Sequence, residues 1–183
     1  MTNAKIENDW LLKIGKIGSQ ILRYFLLVVA GLAGIVAILS LVAGLVGVFS
    51  PETFADMVDE PFELREAFGV AALMTLLSFA IWLGSKFFAL LAQIIATVGD
   101  GDPFIEENAN RLHAMGMINL IIFGISVTAA TGILLYTGVF DEAVEDLTLE
   151  IAIDSLFVSI LLFILARVFR HGAAMRADLE GTV

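Results

Sequence analysis

The chain has 183 residues, 59% of them hydrophobic and 16% charged, with a mean hydropathy of +0.94. Soluble domains carry nearer half apolar and about a quarter charged residues, and here the apolar ones gather in runs matching the roughly 18–20 needed to cross hydrocarbon, so a soluble domain is excluded and an integral membrane protein expected. Cysteine is absent, which removes disulfides, thiolate metal sites and cysteine nucleophiles; the formal net charge of −10 argues against direct nucleic-acid binding, although each loop of a membrane protein faces only one side.

Residues 5–20 place Ile6, Trp10, Ile14, Ile17 and Ile21 at steps of three or four, with Lys5, Asn8, Lys13, Lys16 and Gln20 largely opposite. This pattern fits a helix over 1–20 lying at the membrane surface with Trp10 as interface anchor, or a cytoplasmic lead-in packed on its own protein. The first span runs over 21–49, too long for a signal-peptide core, and ends at Ser50-Pro51. Its small residues Ala30, Gly34, Ala37, Gly44 and Gly47 allow a second backbone close, either within the bundle or across a homo-oligomer seam.

After an acidic connection with Glu52, Asp56, Asp59, Glu60, Glu63 and Glu66, a second helix starts near Leu64 and meets no breaker before Val98. That is about 50 Å at 1.5 Å per residue, longer than a bilayer core, so the span counted as 66–98 carries a cytoplasmic extension. Lys86 marks the inner interface, since a lysine at mid-membrane costs about 2.5–3.5 kcal/mol unless it snorkels. The apolar turn beyond it, Phe87, Leu90, Leu91, Ile94 and Ile95, needs cover, and the N-terminal helix is the candidate.

The polar break Gly99-Asp100-Gly101-Asp102-Pro103 divides the chain, and 99–114 form a cytoplasmic connector. Asp-Pro is a helix-opening pair, so a helix is expected from Pro103, supported by Glu107 and Arg111 at i,i+4 and leading into a third span at 115–139. Asn108 and Arg111 share a side with Phe104 and Met115. A second acidic connection, 140–150, precedes a fourth span at 149–169. Arg167, Arg170, His171 and Arg176 suit the negative end of that helix, Gly172 is expected to break or cap it, and 170–183 are a short polar tail. Nine of ten basic residues fall on the side of the termini and the central break, only Arg65 on the other, so both termini are expected in the cytoplasm.

Gly101-Asp102-Pro103-Phe104 with Asn108, Arg111-Leu112 and Gly116, then Ala166-Arg167-Val168-Phe169-Arg170 with Gly172, Met175, Asp178 and Thr182-Val183, resemble a bacterial membrane family known as domain of unknown function 2975; His113 departs from a basic position. The resemblance implies a small cell inner-membrane protein without assigned catalytic activity, of a kind often encoded beside a small helix-turn-helix regulator, and so a membrane partner or sensor that sequesters or modulates a transcription factor.

The acidic loops read as solvated surface, since acid–base chemistry needs groups held in a dry, organised site. Asp154, about one turn inside the fourth span, is either an intramembrane functional group or a residue reaching the outer interface or capping its helix. His113 and His171, the only histidines, are the sole candidates for a haem or metal, without a ligand motif; no cofactor is otherwise expected. Phosphate loops lack their lysine, calcium loops their later ligands, and paired broken helices of a transporter are missing. Asp102, Pro103, Phe104, Asn108, Arg111, Arg167, Arg170, Gly172 and Asp178 either dock a cytoplasmic partner or lock the third helix to the tail. The expected protein is an all-α, four-span membrane protein, N-in and C-in, in contact with lipid: non-enzymatic and regulatory, or an accessory subunit of a larger membrane complex.

Overall fold

The computed structural model describes residues 10–52, 64–137 and 142–180, apart from the side chains of 136, 137, 142–152 and 180. Four long helices account for nearly all of it: α1 Trp10–Phe49, α2 Leu64–Gly99, α3 Glu106–Thr137 and α4 Glu142–Glu180. No strand occurs among the described residues. The first three are each long and apolar enough to cross a membrane. Most of the acidic connections lie outside the described residues and side chains.

The helices form two antiparallel hairpins, α1 with α2 and α3 with α4, joined where α2 meets α3. In the first hairpin Gly15 faces Ile95, Gly84 faces Leu26, Gly34 faces Ser78 and Gly44 faces the Phe68 ring. The buried positions of α1 above residue 20 are Ala30, Ala37 and Gly44, seven apart, and Ser85 and Ala71 are buried on α2. A seven-residue repeat of small side chains keeps one seam facing its neighbour and lets two backbones close. The approach is near enough for Ser78 Oγ to donate to the Ala30 carbonyl at 2.8 Å.

The principal buried cluster sits at the other contact. Ile94 of α2, Leu112 and Met115 of α3, and Leu162 and Ala166 of α4 form it, flanked by Phe87, Leu90, Leu91, Val98 and Phe169. Outside these two contacts the helices present apolar side chains outward, such as Val28, Leu32, Ile35 and Leu39 on α1 and Phe157, Ile160 and Ile164 on α4. The chain's accessible surface is 12,370 Å². A compact soluble monomer of this mass has about 8,600 Å² by the usual area scaling. Exposed apolar flanks of this extent suit a lipid environment.

Several boundaries differ from expectation. The N-terminal helix and the first span are one continuous helix, described from Trp10 onward, since residues 1–9 of the expected surface helix lie outside the described residues. It packs on α2 through its small side, with Ser19 buried and Gly15 against Ile95, and leaves the apolar face of Trp10, Ile14, Ile17 and Ile21 exposed. Its N-terminal turns cover only part of α2's projecting end, because Phe87, Leu90, Leu91 and Ile94 are covered by α3 and α4. Helix α3 begins at Glu106, not Pro103, since Phe104 is drawn across to α4 before the helix can start. Helix α4 starts at Glu142 rather than 149 and continues through Gly172 to Glu180, so this glycine is neither a break nor a cap, and the expected polar tail is helical as far as Glu180.

Candidate functional site

The turn between α2 and α3 is built by glycine. Gly101 has φ of 86°, a left-handed backbone that costs glycine little. Its N–H bonds the Val98 carbonyl at 3.1 Å while the Asp102 N–H bonds the Thr97 carbonyl at 3.0 Å. These paired bonds are a Schellman ending: they satisfy the last carbonyls of α2 and reverse the chain. The reversal sets Pro103 and Asn108 beside the end of α2.

Asn108 is fully buried. A buried amide is costly unless its donors and acceptor are used. Here Nδ2 donates to Thr97 Oγ1 at 2.7 Å and to the Pro103 carbonyl at 2.9 Å, and Oδ1 accepts from Arg111 Nη1 at 2.7 Å. Thr97 Oγ1 passes its own proton to the Ile94 carbonyl at 2.8 Å, and Arg111 Nε reaches Gln93 Oε1 at 3.2 Å. One side chain thereby joins the end of α2, the turn and the first turns of α3. Among the described residues Arg111 binds Asn108 and Gln93, and not the Glu107 expected at i,i+4.

The end of α4 is held by different groups. Phe104 lies against Phe169 with ring centroids 5.2 Å apart. It also covers Gly172 so closely that a Cβ there would stand 2.7 Å from Phe104 Cδ1. Gly116 plays the same part for Phe163, at 2.7 Å. Arg176 pairs with Asp102, and Arg170 Nη2 donates to Asn110 Oδ1 at 3.2 Å. Asp102 is therefore engaged by α4 rather than capping α3. Around this pair opens a groove of about 530 Å³, with Glu106 and Glu107 of α3 on one rim and Arg170 and Arg176 of α4 on the other.

No protein-family model matches this chain, and no curated protein or solved structure does. The arrangement of its own residues therefore carries the functional reading.

Of the residues singled out from the sequence, Asp102, Pro103, Phe104, Asn108, Arg111, Arg170 and Gly172 meet at this junction. Arg167 does not; it lies on the outer face of α4 beside His171. Asp178 is exposed near the end of α4. Lys86 places Nζ 5.0 Å from the centroid of Trp82, an i,i+4 cation–π contact at the surface of α2. Trp10 is exposed at the start of α1. Asp154 is exposed on α4 and lies twelve residues inside the helix, which rules out its capping alternative. His113 packs on Phe163 at 5.1 Å between centroids, while His171 lies eight residues further along α4 than Phe163, about 12 Å by helical rise, so the two imidazoles do not converge. No group of three or more metal-ligating residues occurs among the described residues.

Sequence reasoning missed Gln93 and Thr97, which stand one turn apart near the end of α2 and complete the Asn108 network. It missed Arg176 as the partner of Asp102. It also missed a polar pair within the second hairpin: Asn119 Nδ2 donates to the Ser155 carbonyl at 2.6 Å and to buried Ser159 Oγ at 3.0 Å. The available signal was an amide inside an apolar span, facing a helix with two serines four apart.

Proposed function

We propose that this protein is a non-enzymatic regulatory or sensory component of the bacterial inner membrane, whose cytoplasmic end binds a soluble partner. In this reading α4 is a fourth span, and the basic residues near the central break keep both termini inside. The observation that carries it is the open groove flanked by Glu106, Glu107, Arg170 and Arg176 at the junction of the two hairpins. Its floor is rigid because the Asn108 network and the Phe104–Gly172 contact fix both rims, while its charged rims are exposed. Groups satisfied by one another hold a shape; they do not activate a nucleophile. Rims of opposite sign select a partner of complementary charge pattern and orient it. A helix-turn-helix regulator, as the family resemblance implies, is one such partner.

The test is to tag the C-terminus, solubilise native membranes mildly and identify what co-purifies at near-equal amount. A soluble DNA-binding protein is expected, lost on Glu107→Lys and on Arg111→Ala. Recovery of a large membrane assembly instead would sink the regulator reading.

A second reading, an accessory subunit, is favoured by one feature. A groove of about 610 Å³ between α1 and α2 is lined by Ala30, Gly31, Gly34, Thr75 and Phe79, among others. A Cβ on Gly31 would meet nothing within 4 Å, so that flank has room for another helix. Near-equal recovery of membrane subunits, abolished by Gly31→Leu, would support it.

A further inference from the structure

Arg167 and His171 stand one helical turn apart on α4, on the face turned away from the junction. Among the described residues neither makes a hydrogen bond or ion pair, unlike Arg170 and Arg176 on the same helix. With Phe104, Val168, Gly172 and Met175 they line an open groove of about 540 Å³ that, among the described residues, has no carboxylate in its wall. The groove depends on residue 172 lacking a side chain, because the Phe104 ring occupies the place of its Cβ and lies against α4 as a side wall.

A line of exposed apolar side chains runs from this groove toward the start of α4: Val168, Ile164, Ile160 and Phe157, at steps of three or four. From Arg167 to Phe157 is ten residues, about 15 Å by helical rise. That is half the roughly 30 Å hydrocarbon thickness, the depth of one leaflet. A cation with no counter-charge among the described residues therefore sits at the head of an apolar track one leaflet long. The ligand complementary to both is a lipid whose headgroup carries net negative charge. Arg167 presents a guanidinium fork that matches phosphate oxygens, and the imidazole of His171 has an N–H to donate beside it.

We propose that this groove binds an anionic phospholipid of the cytoplasmic leaflet. The phosphodiester pairs with Arg167, the headgroup contacts His171, and the acyl chains lie along Val168, Ile164, Ile160 and Phe157. The assignment rests on the reading that α4 crosses the membrane with its C-terminal end inside. Because none of the described residues lining the groove is acidic, a zwitterionic headgroup brings a second cation that meets no partner among them, so phosphatidylglycerol is preferred over phosphatidylcholine.

The experiment is native mass spectrometry of the full chain, released from micelles containing equal amounts of phosphatidylglycerol and phosphatidylcholine. The expected result is preferential retention of phosphatidylglycerol, reduced about fivefold by Arg167→Gln, the usual effect of one basic residue at an anionic lipid surface. Arg167 is exposed, so this variant leaves the packing intact. Equal retention of both lipids overturns the proposal. So does an equal loss on Lys86→Gln, which would mark a general surface attraction, or full displacement by millimolar inorganic phosphate, which would mark a free-phosphate site. Labelling of Ile160→Cys in native membranes with a membrane-impermeant maleimide separates the two ideas. A protected cysteine without lipid preference ends the lipid site alone, and a labelled one ends the fourth span and the lipid site with it.

Discussion

Between α1 and α2, the buried positions of α1 carry side chains of few atoms, onto one of which, Gly44, the Phe68 ring of α2 fits. Ala30, Ala37 and Gly44 meet α2 along a seam where one hydroxyl, that of Ser78, crosses to the opposite backbone. Where α3 and α4 meet each other and the end of α2, large side chains fit against glycines, Phe104 on Gly172 and Phe163 on Gly116, and a buried amide ties three segments. The difference follows from the surroundings. In lipid, apolar side chains gain little by meeting one another, so association depends on close packing and modest polar bonds. At the junction, desolvation makes the buried amide costly if its partners are lost, so a satisfied network enforces one geometry.

This contrast breaks most directly at Asn108. Asn108→Leu should cost about 3 kcal/mol, because Arg111, Thr97 and the Pro103 carbonyl lose their shared partner at once. Thermal unfolding in mild detergent should show the largest drop of any single variant here. Next, Gly116→Val should cost about 2 kcal/mol, since the added carbon meets the Phe163 ring at 2.7 Å. Pairing it with Phe163→Leu should recover part of the loss; no recovery would mean that the glycine serves something other than that ring.

On the other side of the comparison, Ser78→Ala should cost only about 0.6 kcal/mol, the typical worth of an interhelical bond within a membrane. A loss as large as that of Asn108→Leu would show that the seam, too, depends on polar bonding. The smallest effect is expected for Asp102→Asn, about 0.5 kcal/mol, because both partners of its ion pair are partly exposed. The loss should shrink further in high salt, which a salt series of the same unfolding measurement checks.

Regular features were legible from local sequence, whereas features depending on a distant partner were not. The length of α2 follows from the lack of a breaker between Leu64 and Val98, and its ending from Gly101. The small residues of α1 announce close packing by their spacing alone. Gly172 misled because its reason is a ring 68 positions earlier, and without that ring a glycine near a helix end reads as a stop. Gln93 and Thr97 looked like ordinary polar residues where a helix leaves the membrane; only the buried Asn108 gives them their task. The sequence leaves Arg111 open between a docking face and a lock on the tail; its guanidinium reaches Gln93 of α2, while Asp102 and Phe104 hold the described part of the tail.

The seat of Phe104 on Gly172 also sets an order of assembly. A chain is made from its N-terminus, so α1 and α2 can pair, and the Asn108 network can close, before Gly172 has been added. The turn at Gly101 is thus complete while Phe104 still lacks its seat and Asp102 its arginine. Until then this end of the protein leaves an aromatic ring and a carboxylate without the partners that the finished helix α4 supplies. A chain stopped before residue 172 would lack both contacts.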